Sequence, residues 1–394
     1  MRLRQAVALG LAALSSGTSR ANAASDGESA AELAASGRSK PVTVEVGKTT
    51  VAPFALFRGG YDLVQTDPKV DFVGQNNGFF LDSARLGLEG SSGAITARIS
   101  LEGASGAQLA PNTPEGVLRV SLRDAFVRWE IAPALAVQLG QAKATWAREE
   151  LRGVQDRPFA TNAVGFEGVA AGRGYDQGSI ALDRQLGLIV TAAKPLELGP
   201  MNLDYAAMVA NGNGRNQLLD DNGKPLLVGR LELGYAAYAK VGVGGYMNAR
   251  RLGTAPNLYD ERDVGLVVDL LTKVENLEVF GSYAEVATEY PTTGVPNRKQ
   301  IAWHAQASYR VDFAAMPFAV AYRIAHLSPY AQGVATLPGG ANLGAYDIGH
   351  HTVGLRLFHP TLPLSLYANY TFTVEPAARS LTNDRATLLA QLTL

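Results

Sequence analysis

The sequence predicts an all-β fold, a transmembrane antiparallel β-barrel of about 16 strands. Three observations lead there. Of 394 residues, 47% are hydrophobic, yet beyond the amino-terminal leader no apolar run reaches the ~18 residues that a spanning helix needs. Long stretches instead alternate apolar and polar residues with the period of a strand that has one apolar and one polar face. The connections between these stretches alternate long and short, as in barrels with long loops at one rim and tight turns at the other.

Taken in order, residues 1–23 read as a secretory signal peptide. Arg2 and Arg4 precede the apolar stretch Ala6 to Leu14, and Ala21-Asn22-Ala23 is a small-residue cleavage site. Loss of Arg2, Arg4 and Arg20 takes the formal charge from −1 to about −4, so no polybasic surface is expected and nucleic acid is not an expected partner. The chain has no cysteine, and export without one argues against a small disulfide-stapled domain. Charged residues are 18%, below the usual level of about 25%, and the 42 glycines suit many turns. Residues 24–48 are small and polar and read as a short, flexible periplasmic leader, or as disordered. The barrel is assigned to 49–394.

Strands are predicted near 50–62, 79–91, 94–104, 118–131, 135–143, 184–194, 201–210, 227–237, 239–250, 262–272, 275–288, 300–312, 316–327, 349–359, 362–375 and 384–394. Ile95, Ala97, Ile99 and Leu101 share one face, opposite Thr96, Arg98, Ser100 and Glu102. Trp303, Ala305, Ala307 and Tyr309 alternate with His304, Gln306, Ser308 and Arg310 in the same way. In SLRDAFVRWEI the phase changes near Arg123, which suggests a β-bulge. Trp129, Tyr235, Tyr309 and Phe318 fall at one height of the apolar face, and Tyr283, Trp303 and Phe372 at the other. Two such aromatic girdles suit a wall that meets outer-membrane lipid. Ala386, Leu388, Ala390, Leu392 and Leu394 alternate to the carboxyl end, as a closing strand would.

The longest stretch without alternation runs from Ala144 to Asp183, the third long connection. A structureless insertion of this length is expected to be functional, and it is read as a loop folded into the lumen, narrowing it. The polar phase would line that lumen. It carries Arg85, Arg98, Arg128, Arg230, Lys240, Arg250, Arg310, Arg323 and Arg356, against Glu89, Glu102, Glu130, Asp204, Glu232, Asp269, Glu278 and Asp312. Lys143 leads into the loop, which adds Arg148, Arg152, Arg157 and Arg173 against Glu149, Glu150, Asp156, Glu167 and Asp176. A guanidinium is a fixed charge with a planar fork of donors, so a row of them would hold anions in transit. The competing reading is that these charges hydrate the wall and pair across strands. Mixed use is expected, with Trp146 and Phe159 as anchors. No catalytic residue, metal site or cofactor is expected. The five histidines lack metalloprotease spacing, and Asp220-Asp221-Asn222-Gly223 reads as a turn.

The motifs SARLGLEG (Ser83 to Gly90), RDAFV (Arg123 to Val127), LGQAK (Leu139 to Lys143) followed by Glu149-Glu150-Leu151, and VANGNG (Val209 to Gly214) resemble those of the phosphate-selective porin O/P family of Gram-negative outer membranes. The resemblance implies a 16-stranded barrel, usually a homotrimer, with a constricting third loop. The chain departs from the family at Ala144-Thr145-Trp146, where Pro-Phe is usual, and at the terminal Leu394, where an aromatic residue is usual. The resulting expectation is an outer-membrane porin passing small hydrophilic solutes or ions by passive diffusion, with anions or phosphate preferred. The alternative is a structural or adhesive barrel whose loops bind a partner.

Overall fold

The computed structural model describes residues 42–104, 118–220, 222–254, 256–291, 297–313, 316–332 and 346–394. The predicted signal peptide, the leader as far as residue 41, Asp221 and the middles of the long connections near 105–117, 289–299 and 328–348 lie outside the described residues.

The strands are β1 (Val44–Val46), β2 (Thr49–Val64), β3 (Gly78–Ser92), β4 (Ile95–Glu102), β5 (Ser121–Ala132), β6 (Leu135–Lys143), β7 (Arg184–Thr191), β8 (Leu196–Leu198), β9 (Met201–Ala210), β10 (Leu226–Tyr235), β11 (Ala239–Thr254), β12 (Asn257–Val274), β13 (Leu277–Glu289), β14 (Arg298–Val311), β15 (Phe318–Gln332), β16 (Ile348–Phe358), β17 (Leu364–Val374) and β18 (Arg385–Thr393). Sixteen of them form a closed antiparallel ring among the described residues. Neighbours in sequence pair around it, β7 pairs with β9, and β18 closes on β2 from Arg385↔Val64 to Thr393↔Leu56. Closure pairs the backbone groups of every wall strand on both sides, which a lipid-embedded sheet requires. Two short strands stand outside the count: β1 folds back on the start of β2, and β8 pairs with the first residues of β9. The gap between β7 and β8 falls where Pro195 has no N–H to give.

The predicted alternation is realised. Ile95, Ile99, Leu101, Trp129, Tyr235, Tyr283, Trp303, Tyr309 and Phe372 are all exposed on the outer face, while Ser100, Glu102, Arg128, His304 and Gln306 are buried on the inner one. The bulge at Arg123 is present: Ser100 pairs with Asp124 and Leu101 with Leu122, which leaves Arg123 as the extra residue. A second register shift, between Arg58 and Gly59 opposite Ser83 and Leu81, makes Asp82 the extra residue of β3.

Some boundaries differ from expectation for local reasons. The strand predicted to reach 237 stops at Tyr235, because the chain reverses at Ala236 with a positive φ of 47°. The turn predicted at 273–274 lies two residues on, at 275–276, where Glu275 takes φ 51°.

The inner face differs from a uniformly polar wall. Met208, Ala210, Leu226, Val228, Tyr246, Val267, Ala284, Val286, Ala302, Ala325, Leu327 and Ile348, on β9 to β16, belong to one buried apolar cluster, which Phe126, Ala142 and Ile189 extend onto β5, β6 and β7. The residues packed on them come from segment 144–183: Trp146, Ala147, Val164, Phe166, Val169 and Ile180.

Candidate functional site

Segment 144–183 is folded rather than structureless. It holds one-turn α-helices at Arg148–Leu151 and Val164–Glu167 and 3-10 turns at Val154–Asp156 and Ala171–Arg173. Gly168 ends the second helix with φ 78°, where a Cβ would meet the Gln177 carbonyl oxygen at 2.5 Å. The segment's neck is closed by Ala144 N–H donating to the Asp183 carbonyl at 2.8 Å. Lys143 Nζ donates to the carbonyls of Leu151 and Arg152, at 2.9 and 3.0 Å, the orphan acceptors at the end of the first helix.

Inner-face side chains reach the segment from β10 through β18 to β2. Arg230 on β10 donates to the Trp146 carbonyl at 3.0 Å and forks onto Asp269 of β12 at 2.7 and 2.8 Å. Arg148 pairs with Glu232 of β10 and lies 3.8 Å from Asp269. Arg152 pairs with Glu278 of β13 at 2.7 Å. Arg323 on β15 donates to the Thr161 carbonyl at 2.9 Å and stacks 4.5 Å over Phe159. Arg356 on β16 donates to the carbonyls of Gln155 and Arg157 at 3.0 and 3.2 Å. Asn369 on β17 accepts from Ala160 N–H at 2.8 Å. Arg58 on β2 donates to the Ala160 carbonyl, also at 2.8 Å, and Asp62 pairs with Arg173 at 2.7 Å. Backbone carbonyls held by guanidiniums and acids held by segment arginines are charge-assisted bonds, the strong kind in a site of low dielectric.

Two adjacent carboxylates organise the segment internally. Glu149 accepts from Ala163 N–H at 3.2 Å and faces His304 of β14 at 3.8 Å. Burial works against its ionised form, but His304, Arg157 and Arg323 outweigh that and hold its pKa below the ordinary value. Glu150 accepts from Asp183 N–H at 2.7 Å and from the Trp146 indole. Its burial dominates, and its pKa is pushed up to about 7. Burial likewise lowers the Arg157 guanidinium to about 10.

On the arc from β3 to β7 the inner-face charges bond one another. Glu102 accepts from Ser83 Oγ at 2.8 Å and Ala84 N–H at 2.7 Å, with Arg123 at 3.3 Å and Arg85 at 3.5 Å. Asp124 accepts from Arg184 at 2.7 Å and Ser100 Oγ at 2.9 Å. Arg98 lies 3.5 Å from Glu89 and stacks over Phe54. At the neck Asp183 meets Arg184 at 3.2 Å and Arg215 at 3.8 Å. Among these named groups, five guanidiniums face four carboxylates. Among the described residues, Arg85 Nη2 and Arg123 Nε find no hydrogen-bond partner, although both atoms are buried.

Of the residues singled out from sequence, Arg148, Arg152, Arg173, Arg230, Arg323 and Arg356 thus gather at the segment, while Arg85 and Arg98 lie on the β3–β7 arc. Arg128 stands lower on the arc, bonded to Thr191 Oγ1 at 2.9 Å and to the Ala192 carbonyl at 3.3 Å. Arg250 pairs with Glu261 and Arg310 with Asp312. Arg58, Arg123 and Arg184 were not singled out. Arg123 occupies the bulge, where the polar phase breaks, and Arg58 and Arg184 sit in strands whose phase was not assigned.

No protein-family model and no curated protein sequence matches this chain. Solved structures do. The outer membrane channel DcaP of Acinetobacter baumannii aligns with a TM-score of 0.60 at 14% identity, over 89% of this chain and 99% of that one. An anion-selective porin from Comamonas acidovorans aligns at 0.57 and 15%, over 88% and 100%. OmpT, an outer membrane protein of Vibrio cholerae in its trimer form, aligns at 0.56 and 10%, over 88% and 99%. The chain has the porin fold. A closed barrel whose outer face exposes apolar and aromatic side chains is built to cross an outer membrane many times, by strands.

Proposed function

We propose that the protein is an outer-membrane porin for passive diffusion of small hydrophilic solutes, with a preference for anions. Segment 144–183 lies within the barrel as its constriction, seated on the β10–β18 side and on β2. In this reading solutes pass beside the charged groups of β3 to β5. The observation that carries the reading is the charge cluster on the arc from β3 to β7, where Arg85, Arg98, Arg123, Arg184 and Arg215 face Glu89, Glu102, Asp124 and Asp183. An excess of guanidinium charge in a narrow, poorly screened pore would attract an anion in transit. In this reading Arg148, Arg152, Arg230, Arg323 and Arg356 fix the constriction, and the partly exposed Arg98 and Arg123 meet the permeant, with Arg85 and Arg184 buried behind them. A homotrimer in outer-membrane lipid, as in the trimer form of OmpT, is part of the proposal.

The test is the reversal potential of the refolded chain in planar bilayers under a chloride gradient. An Arg85→Gln/Arg123→Gln variant is expected to move the potential toward cations, and an unchanged value overturns the anion assignment. Added phosphate separates the narrower reading: block of the chloride current at millimolar phosphate supports a phosphate preference. The dense apolar packing between segment and wall favours a second reading, a closed structural or adhesive barrel. A folded barrel without conductance would select it.

A further inference from the structure

Glu150 stands out among the buried acids of the segment. Its side chain lies at the junction of the first helix, the neck and the apolar cluster, beside Trp146, which is fully buried. Its hydrogen bonds come from neutral donors, the backbone N–H groups of Asp183 and Leu182 and the Trp146 indole N–H. Its neighbour Glu149, by contrast, faces His304, with Arg157 and Arg323 close by. The groups turned toward Glu150 give it little help in keeping a charge. Asp183, at the neck, is an acid, with Arg184 and Arg215 turned to its own carboxylate at 3.2 and 3.8 Å. Tyr246 of β11, whose ring packs edge-on against Trp146 at 4.9 Å, is backed by Asp263 and Glu261 with Arg250. A buried carboxylate with neutral donors and acidic neighbours resists ionisation.

We infer that Glu150 is a proton-responsive pin at the neck of segment 144–183, so that the seating of the constriction changes with the protonation of this one carboxyl group. The inference rests on the reading of the segment as a constriction and concerns its regulation. Two sets of bonds meet at the pin. One ties the first helix to the point where the chain leaves the segment, and the other fixes the indole around which the apolar cluster is packed. With the proton on, the neutral group is compatible with the surrounding apolar cluster. With the proton off, a charge sits in that cluster opposite Asp183. The raised pKa of Glu150, about 7 against the ordinary 4.5, sets the direction: the stability that its proton lends is full below about pH 4.5, falls as the pH rises, and is gone once the pH has passed through about 7. The neck is therefore held tightly in acid and loosens toward alkaline pH.

The experiment uses the full mature chain refolded in detergent, in a background where Trp129 and Trp303 are replaced by phenylalanine so that Trp146 is the sole tryptophan of the original three. Its emission is read from pH 4 to pH 9. A titration with a midpoint near pH 7 that disappears in Glu150→Gln is the expected result. The same curve in Glu150→Gln would assign the proton to Asp183 or His304 and overturn the inference, as would a midpoint in the ordinary carboxylate range. Because the fluorescence readout needs no ion flow, it decides the inference even if the barrel proves not to conduct. In bilayers, conductance of the wild type is expected to rise across the same window and that of Glu150→Gln to stay flat. A conducting wild type with no change across the window overturns the coupling to the constriction.

Discussion

Replacing Trp146 by alanine should unseat the segment without opening the barrel. The indole is fully buried, packs at 4.9 Å against Tyr246 and 6.2 Å against Phe166, and donates to Glu150. Truncating a buried tryptophan costs about 3–5 kcal/mol, and the lost bond to a buried acid adds roughly 1–3 kcal/mol. None of this is charged to the wall, because the strand ladders do not pass through residue 146. Each 1.4 kcal/mol is about a factor of ten in population, so the unseated fraction should rise at least about 100-fold. The assay is limited tryptic digestion of the folded barrel, with cleavage expected after Arg148, Arg152 and Arg157. Cleavage tracks the open population when opening is fast, so its rate should rise by a comparable factor while the far-ultraviolet circular dichroism stays that of the barrel. An unchanged digestion rate in a folded Trp146→Ala barrel would refute the claim that the apolar cluster holds the segment in place.

Gly244→Ala should have a similar effect from the wall side. A Cβ there would lie 2.1 Å from the Trp146 carbonyl oxygen, a backbone atom with no rotamer to move, so faster digestion at the same arginines is expected. Arg356→Met removes donors to Gln155, Arg157 and Ser365, and a loss of about 1–3 kcal/mol in seating should appear as smaller acceleration of the same cleavage. If Arg356→Met left the digestion unchanged, its carbonyl bonds would not be holding the segment.

The wall was readable because its determinants are local and periodic. Ile95 to Leu101 and Trp303 to Tyr309 each meet lipid on one phase and bury polar groups on the other, so alternation identifies both element and face. The bulge at Arg123 was readable for the same reason, as a phase error. The apolar inner face was not deduced, although a signal existed. In LLVG (Leu226 to Gly229) and LVV (Leu266 to Val268), both phases are apolar, as expected where a strand is covered on two sides. The partners of the arginines could not be deduced. Sequence places Arg323 and Arg356 on the right face, but the carbonyls they bind lie far away in the chain, and nothing periodic links Thr161 to Arg323.

The arrangement of the segment has a consequence for how the chain becomes a protein. Segment 144–183 emerges between β6 and β7, before any of the strands β9 to β18 on which most of its seat is built; Ala160 and Asn369 are 209 positions apart. Of the wall side chains in its apolar cluster, only Phe126 and Ala142 precede it in the chain; the others come with later strands, and contacts of such sequence separation form late and slowly. The final closure of β18 on β2 then also completes the seat, since Arg58 on β2 and Gln391 on β18 both bond the segment. A ring that closed before the segment had docked would trap it outside its place, so the order of these two events matters as much as the contacts themselves.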